Sequence, residues 1–289
     1  SFIRFSHLEA KVVENLECFT QAEILARAGL KGAMTLLAMD DKERDDLTEA
    51  WADFNRYAAL ASGLLGEGAF TGRIEDLSAR FNPNFLVDAK GLIDKDRQAQ
   101  FGRLLTLVQL DPQAIPAVLD WLDPDEETRP GGAESSAYLA GADPYTPANG
   151  PFLALSQLAL VKGFTAEALY GTTDRPGLLE YLTVHSEGRI NLNTAGEVVL
   201  MSLDDGLTKS VAQDIMKTRS TKPFEKLDDL KEVPGLTPEV LARLAGRVSV
   251  ASSYFLVYVE GAYREARAAI TAIVHRAGGG VRLIYFRAG

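Results

Sequence analysis

RINLNTAGEVVLMSLDDGLTKSVAQDIMKTRSTKPFEKLDDLKEVPGLTPEVLARLAGRVSV, residues 189–250, is the stretch whose reading decides the fold. Short apolar segments alternate here with strong turn signals. Asn193-Thr194 can cap one helix, Gly206 interrupts the chain, Pro234-Gly235 marks a turn, and Thr237 can cap another helix with Pro238 at its first position. Val211, Ile215 and Met216, then Val240, Leu241 and Leu244, recur at helical spacing, so each helix has one face to bury. The spacing predicts a compact unit of two helical hairpins over 189–250.

That pattern resembles the tandem helix-hairpin-helix of bacterial DNA-uptake proteins, in which NLNTA opens the module and N–H groups at a helix N-terminus receive a phosphate. VPGLTPEVL fits the second hairpin. The first departs, because LDDGLTKSV stands where a glycine-apolar-glycine turn is expected and would turn Asp204 and Asp205 toward a phosphate. Lys209, Lys217, Arg219, Lys222, Lys226, Lys231, Arg243 and Arg247 are offset by a similar number of acids, and the whole chain carries a formal charge of -10. Duplex binding needs an excess of cations to displace counterions. A helix-hairpin-helix DNA-binding protein of a DNA-uptake type system therefore stands as the alternative function, and no nucleic-acid partner is expected.

Outward from this stretch, 289 residues with 46% hydrophobic content can bury a large core in one large or two modest domains. The single cysteine, Cys18, excludes an intrachain disulfide. No run of about eighteen apolar residues occurs, and SFIRFSHLEAKVVENLECF carries too many charges for a signal peptide or a membrane span. From Glu9 to Met39 the chain reads as a long amphipathic helix with small residues Ala22, Ala26, Ala28, Gly29 and Gly32 among its apolar ones, which suits close packing on a sheet. The sheet is read at the other end: strands near 253–260, 264–275 and 281–287, separated by glycines, form an antiparallel meander, with another strand at 72–76. The fold class is α+β, with helices inserted between strands.

Within the insertion, Arg80-Phe81-Asn82-Pro83-Asn84 is echoed by Arg189-Ile190-Asn191-Leu192-Asn193, each followed by two helical segments. Between these halves lies DWLDPDEETRPGGAESSAYLAGADPYTPANGPF, residues 120–152, long for a loop in a compact domain. Its clustered carboxylates suit calcium, a hard cation that takes oxygen ligands. Asp123, Asp125 and Glu134 are the candidate metal ligands by spacing, with Asp120 and Glu127 as additional candidates. The loop lacks the ligand series of an EF-hand, and a solvated acidic loop with Asp120 as a cap is the alternative.

SARFNPNFLV, FGRLLTL, DWLDPDEE, GGAESSAYLAGADPYTPANGPF, LALSQLALVKGFT and RINLNTAGEVVL, in this order, resemble the general secretion pathway protein K family, the large minor pseudopilin of type II secretion systems. The resemblance runs from about Ala22 to Phe286 and is densest between Asp120 and Leu200. It implies a pilin-like N-terminal helix packed on an antiparallel sheet and a large inserted helical domain of SAM-like or helix-hairpin-helix-like halves. The corresponding division is 1–79 for the helix and first strand, 80–250 for the insertion, and 251–289 for the closing strands. It further implies calcium near the aspartate-rich loop, with Asp123, Asp125 and Glu134 on the family's D-x-D and GAE blocks. Two smaller minor pseudopilins are the implied partners in a tip complex on the major pseudopilin fibre, at the periplasmic face of the bacterial inner membrane. Ala22, Ala26, Gly29 and Ala33 are the expected partner-facing helix positions. RFNPN departs from the family's usual RFNLN, residues 40–67 look more helical than the family pattern suggests, and with no leader or apolar span before Glu9 the membrane portion is expected to have been removed.

Catalysis finds no support. His7, His185 and His275 are widely spaced, and no nucleophile-elbow, zincin or phosphate-loop motif occurs. The expectation is a protein that is not an enzyme.

Overall fold

A computed structural model describes residues 2–63, 66–141 and 143–289. In chain order it runs α1 (Phe2–Met39), α2 (Phe54–Ser62), β1 (Ala69–Asp76), α3 (Lys95–Leu107), α4 (Ile115–Leu122), α5 (Ser135–Leu139), α6 (Ala166–Tyr170), β2 (Ile190–Asn191), α7 (Glu197–Leu203), α8 (Lys209–Thr221), α9 (Pro238–Leu244), β3 (Val248–Ser249), β4 (Tyr254–Tyr263), β5 (Ala266–Ala277) and β6 (Gly280–Ala288). Two compact units result: residues 1–77 with 251–289, and residues 78–250.

In the first unit, α1 lies on an antiparallel sheet of order β1-β4-β5-β6. Alternation decides which face is covered: Phe255, Val257 and Val259 of β4 and Ile270, Ala272 and Val274 of β5 are buried with Leu30, Ala33 and Leu37 of the helix. The approach is close enough to need residues without bulk. A Cβ on Gly29 would lie 2.6 Å from Val259 Cγ1 and 2.7 Å from Phe70 Cδ2, and one on Gly261 would collide with the α1 backbone at Ala22 and Ala26. Ala22, Ala26 and Ala33 are each 0% exposed. The four positions expected to face a partner helix therefore face the chain's own sheet. Among the described residues of 40–67 the helical reading holds only for α2; residues 40–53 form turns, where the Arg276 guanidinium reaches Asp40 at 3.0 Å and Asp45, while Trp51 packs edge-on against Phe255 at 5.3 Å.

The second unit repeats itself, and the RFNPN/RINLN echo is its signature. Each copy opens with a parallel pairing, Phe81 with Leu182 in one and β2 with β3 in the other. Asn82 Oδ1 accepts from the Asn84 N–H at 3.0 Å, as Asn191 Oδ1 does from Asn193 at 2.9 Å. The second asparagine of each motif then clamps a buried phenylalanine backbone: Asn84 donates to Phe152 O at 2.9 Å and accepts from its N–H at 2.7 Å, and Asn193 makes the same pair with Phe224, both at 2.9 Å. Asn193 is thus a cross-link and not the cap of α7, whose N-cap is Gly196. After each phenylalanine comes a short 3-10 turn, a glycine with positive φ (Gly163 at 99°, Gly235 at 81°), and a threonine capping the next helix (Thr165, Thr237). Separate apolar cores follow, one around Phe101, Trp121 and Phe152, the other around Leu200, Ile215 and Phe224. One difference matters for function. In the second copy α8 leads directly into Pro223-Phe224, whereas in the first, residues 123–150 are inserted between α4 and Pro151-Phe152.

Candidate metal centre

The insertion begins where α4 ends. That helix is buried nearly all round, so Asp120 in its last turn and Asp123 at its C-cap are carried into the interior with it. Glu134, at the N-cap of α5, closes on them from the far end of the loop. Asp120 and Asp123 are 0% exposed and Glu134 1%, and one carboxylate oxygen of each lies within 4.8 Å of the others. The return is made by Gly131-Gly132: Gly131 has φ of 85°, and a Cβ on Gly132 would strike Asp120 Oδ2. Lys162 holds the turn from outside, donating to Gly132 O at 3.1 Å.

Arg129 is the one cation bonded to this triad among the described residues. Its Nη1 donates to Asp120 Oδ1 at 2.7 Å and to Asp123 Oδ2, and its backbone N–H donates to Asp120 Oδ2 at 3.2 Å. Asp123 Oδ1 and both Glu134 oxygens find no hydrogen-bond partner. Burial first, and then the charges of Asp120 and Asp123, push the Glu134 carboxyl up to about 7; burial likewise raises Asp123. A carboxylate ion buried without a partner costs several kcal/mol in order of magnitude. Three carboxylates facing one guanidinium, with three orphaned oxygens, are a donor set that fits a hard divalent cation such as calcium.

The loop's other acids lie elsewhere. Asp125 and Glu127 are exposed, and Asp125 Oδ1 accepts from the Glu127 N–H at 2.8 Å, so neither joins the triad. Glu126 instead ties the loop together, accepting from Ser135 Oγ at 2.8 Å and Asn149 Nδ2 at 3.0 Å. The D-x-D spacing does not reveal this, because Pro124 turns the chain outward. Arg129, missed by sequence reading, was visible as the lone basic residue of DWLDPDEETRPGGAE. A second acidic group, Asp40, Asp45 and Glu49, is answered by the protein itself: Arg276 reaches Asp40 and Asp45, the Ser252 N–H donates to Asp45 at 2.7 Å, and Trp51 Nε1 donates to Glu49 at 2.7 Å.

The hairpin turn that would receive a phosphate is also occupied from within. Asp204 accepts from the Gly206 N–H at 2.8 Å and pairs both oxygens with Arg243, at 2.7 and 2.8 Å. Those hydrogen bonds draw its carboxyl down to about 2. A carboxylate fixed in this way repels a phosphate.

A profile of the type II secretion system (T2SS) protein K matches residues 79–171, and a helix-hairpin-helix motif matches 185–249. Type II secretion system protein K of Pseudomonas aeruginosa is 32% identical over 240 residues, covering 80% of this chain and 67% of that protein. The chain belongs to the type II secretion system protein K family. The Aeromonas hydrophila member is 27% identical over 271 residues, covering 86% of this chain and 78% of its own. A chain of the crystal structure of the GspK-GspI-GspJ complex from enterotoxigenic Escherichia coli has the same fold, with a TM-score of 0.75 at 20% identity over 96% of this chain and 99% of that one. This protein K is therefore a minor pseudopilin of a type II secretion system, and the DNA-binding alternative is not favoured. No helix among its described residues is long and apolar enough to cross a membrane.

Proposed function

We propose that this protein K assembles with two smaller minor pseudopilins into a complex that starts or caps the pseudopilus at the periplasmic face of the inner membrane, above the major pseudopilin fibre. The observation that carries the reading is the fold match along almost the whole chain to a component of a GspK-GspI-GspJ complex. The surface of α1 supports it. Val12, Leu16 and Phe19 are 59%, 64% and 45% exposed and recur at helical spacing, so they form an apolar stripe that a companion helix can cover. In this reading calcium bound by Asp120, Asp123 and Glu134 fixes the inserted loop on α4, acting in structure and not in catalysis.

Size-exclusion chromatography with two small minor pseudopilins of the same secretion system tests the assembly. A stable ternary peak is expected, together with no shift of duplex DNA at low salt; a DNA shift without a complex would reverse the reading. For calcium, melting temperature is expected to rise with the logarithm of free ion, because the ion binds only the folded state. No change on chelation and no ion by elemental analysis would remove it.

A further inference from the structure

The triad in the inserted loop already has a cation, and it is the chain's own. Arg129 Nη1 bridges Asp120 and Asp123, and the same residue's N–H holds the second oxygen of Asp120. A calcium ion shared by these carboxylates would sit about 2.3 to 2.6 Å from oxygens that the guanidinium now contacts. Two cations cannot share those oxygens inside the protein without strong repulsion. The Arg129 side chain is 24% exposed while the carboxylates are at 0%, so it is the partner able to leave toward solvent without unfolding. It is also an incomplete counter-ion, since Glu134 receives nothing from it and keeps both oxygens unpaired.

We propose, resting on the calcium reading above, that Arg129 and calcium are alternative counter-ions of Asp120 and Asp123: metal entry expels the guanidinium, and metal loss returns it. The exchange does two things. With calcium scarce, Arg129 spares the folded chain the full repulsion of three buried acids. With calcium present, it lowers the apparent affinity by the fraction of molecules in which it occupies the site, and so sets the calcium concentration at which the loop changes its holder.

The test uses the whole chain, calcium titrated calorimetrically into wild type and Arg129→Gln, and arginine modification by phenylglyoxal read by mass spectrometry in chelator and in calcium. Arg129→Gln is expected to bind calcium about tenfold more tightly if the pair closes the site nine-tenths of the time. In wild type, calcium is expected to speed modification of Arg129 severalfold. Equal affinity in both proteins with Arg129 equally protected in both conditions would overturn the exchange and leave calcium binding standing. Failure of both proteins to bind calcium would remove the calcium reading, and the exchange with it. Tighter binding by the variant while Arg129 stays protected in wild type would also overturn it, since simple charge removal then suffices.

Discussion

At Glu134 the fold accepts a carboxyl group that water would keep far more acidic, and the sign of the consequence follows. Its pKa is raised to about 7 in the folded chain, against about 4.3 for an unfolded glutamate. Between those values the folded state holds the extra proton, so metal-free protein loses stability as pH rises through that window. Melting in chelator from pH 4.5 to 8 should show this slope, and Glu134→Gln should flatten it; Asp45, also raised to about 7, leaves a residual slope. The same variant should abolish the calcium-dependent rise in melting temperature, and a variant with the wild-type slope would remove this account of Glu134. Asp204 has the opposite sign. Drawn down to about 2, it contributes stability above the usual carboxylate range that disappears as pH falls toward 2. Asp204→Asn should cost about 1 kcal/mol at pH 7, because the carboxylate is buried while its partner Arg243 is 54% exposed and solvent screens the pair, and the difference from wild type should shrink in acid. Spacing put Asp123 and Glu134 among the first candidates and Asp120 only among the additional ones, and the end of α4 and the Gly-Gly return bring these three together. It could not separate them from Asp125 and Glu127, whose side chains leave the loop for solvent.

Single elements show where sequence periodicity carries information and where it does not. The small-residue stripe on α1 was legible as a close-packing surface suited to a sheet, whereas the family resemblance turned it toward partner helices. The geometry assigns it to the sheet, so Gly29→Val is expected to lower melting by forcing atoms within 3 Å of Val259 and Phe70 to move, with overpacking costs of about 1 to 3 kcal/mol. A variant with unchanged melting would mean that α1 lies differently on β4. The R-apolar-N-x-N echo proved deeper than its five letters. Each second asparagine replaces a missing strand partner for a buried phenylalanine backbone, a duty an alanine cannot perform. Asn84→Ala and Asn193→Ala should therefore each cost about 2 kcal/mol or more, since two buried backbone groups lose their partners. Denaturant unfolding of both variants checks this, and a cost at only one site would deny that the two copies are built alike. The repeat also explains why the acidic loop is tolerated. It enters at the point where the other copy needs only Pro223-Phe224 to follow its helix, so the clamp on Phe152 re-forms after the excursion.

For the whole molecule, two properties of the surface lead to different partners, and they separate by salt. The net charge of -10 disfavours polyanions, while α1 presents Val12, Leu16 and Phe19 to solvent. The α+β class was readable from the long helix at one end and the meander at the other, whereas the partner-facing side of that helix was not, because both its sides carry apolar residues. Burying an apolar stripe is a hydrophobic association, which salt does not screen. Contacts to DNA phosphates would weaken steeply with added salt. Leu16→Glu with Phe19→Glu places two like charges in the stripe without touching the buried face formed by Ala22, Ala26, Leu30 and Ala33. This double variant is expected to keep the wild-type melting temperature and to lose co-elution with the smaller pseudopilins, while the wild-type complex survives about 0.5 M salt, where the Debye length falls to about 4 Å and exposed ion pairs are largely screened. Retained assembly of the double variant would place the interface on another surface of the protein. A wild-type complex that dissolves in salt would instead make charge, and not the stripe, the organising force.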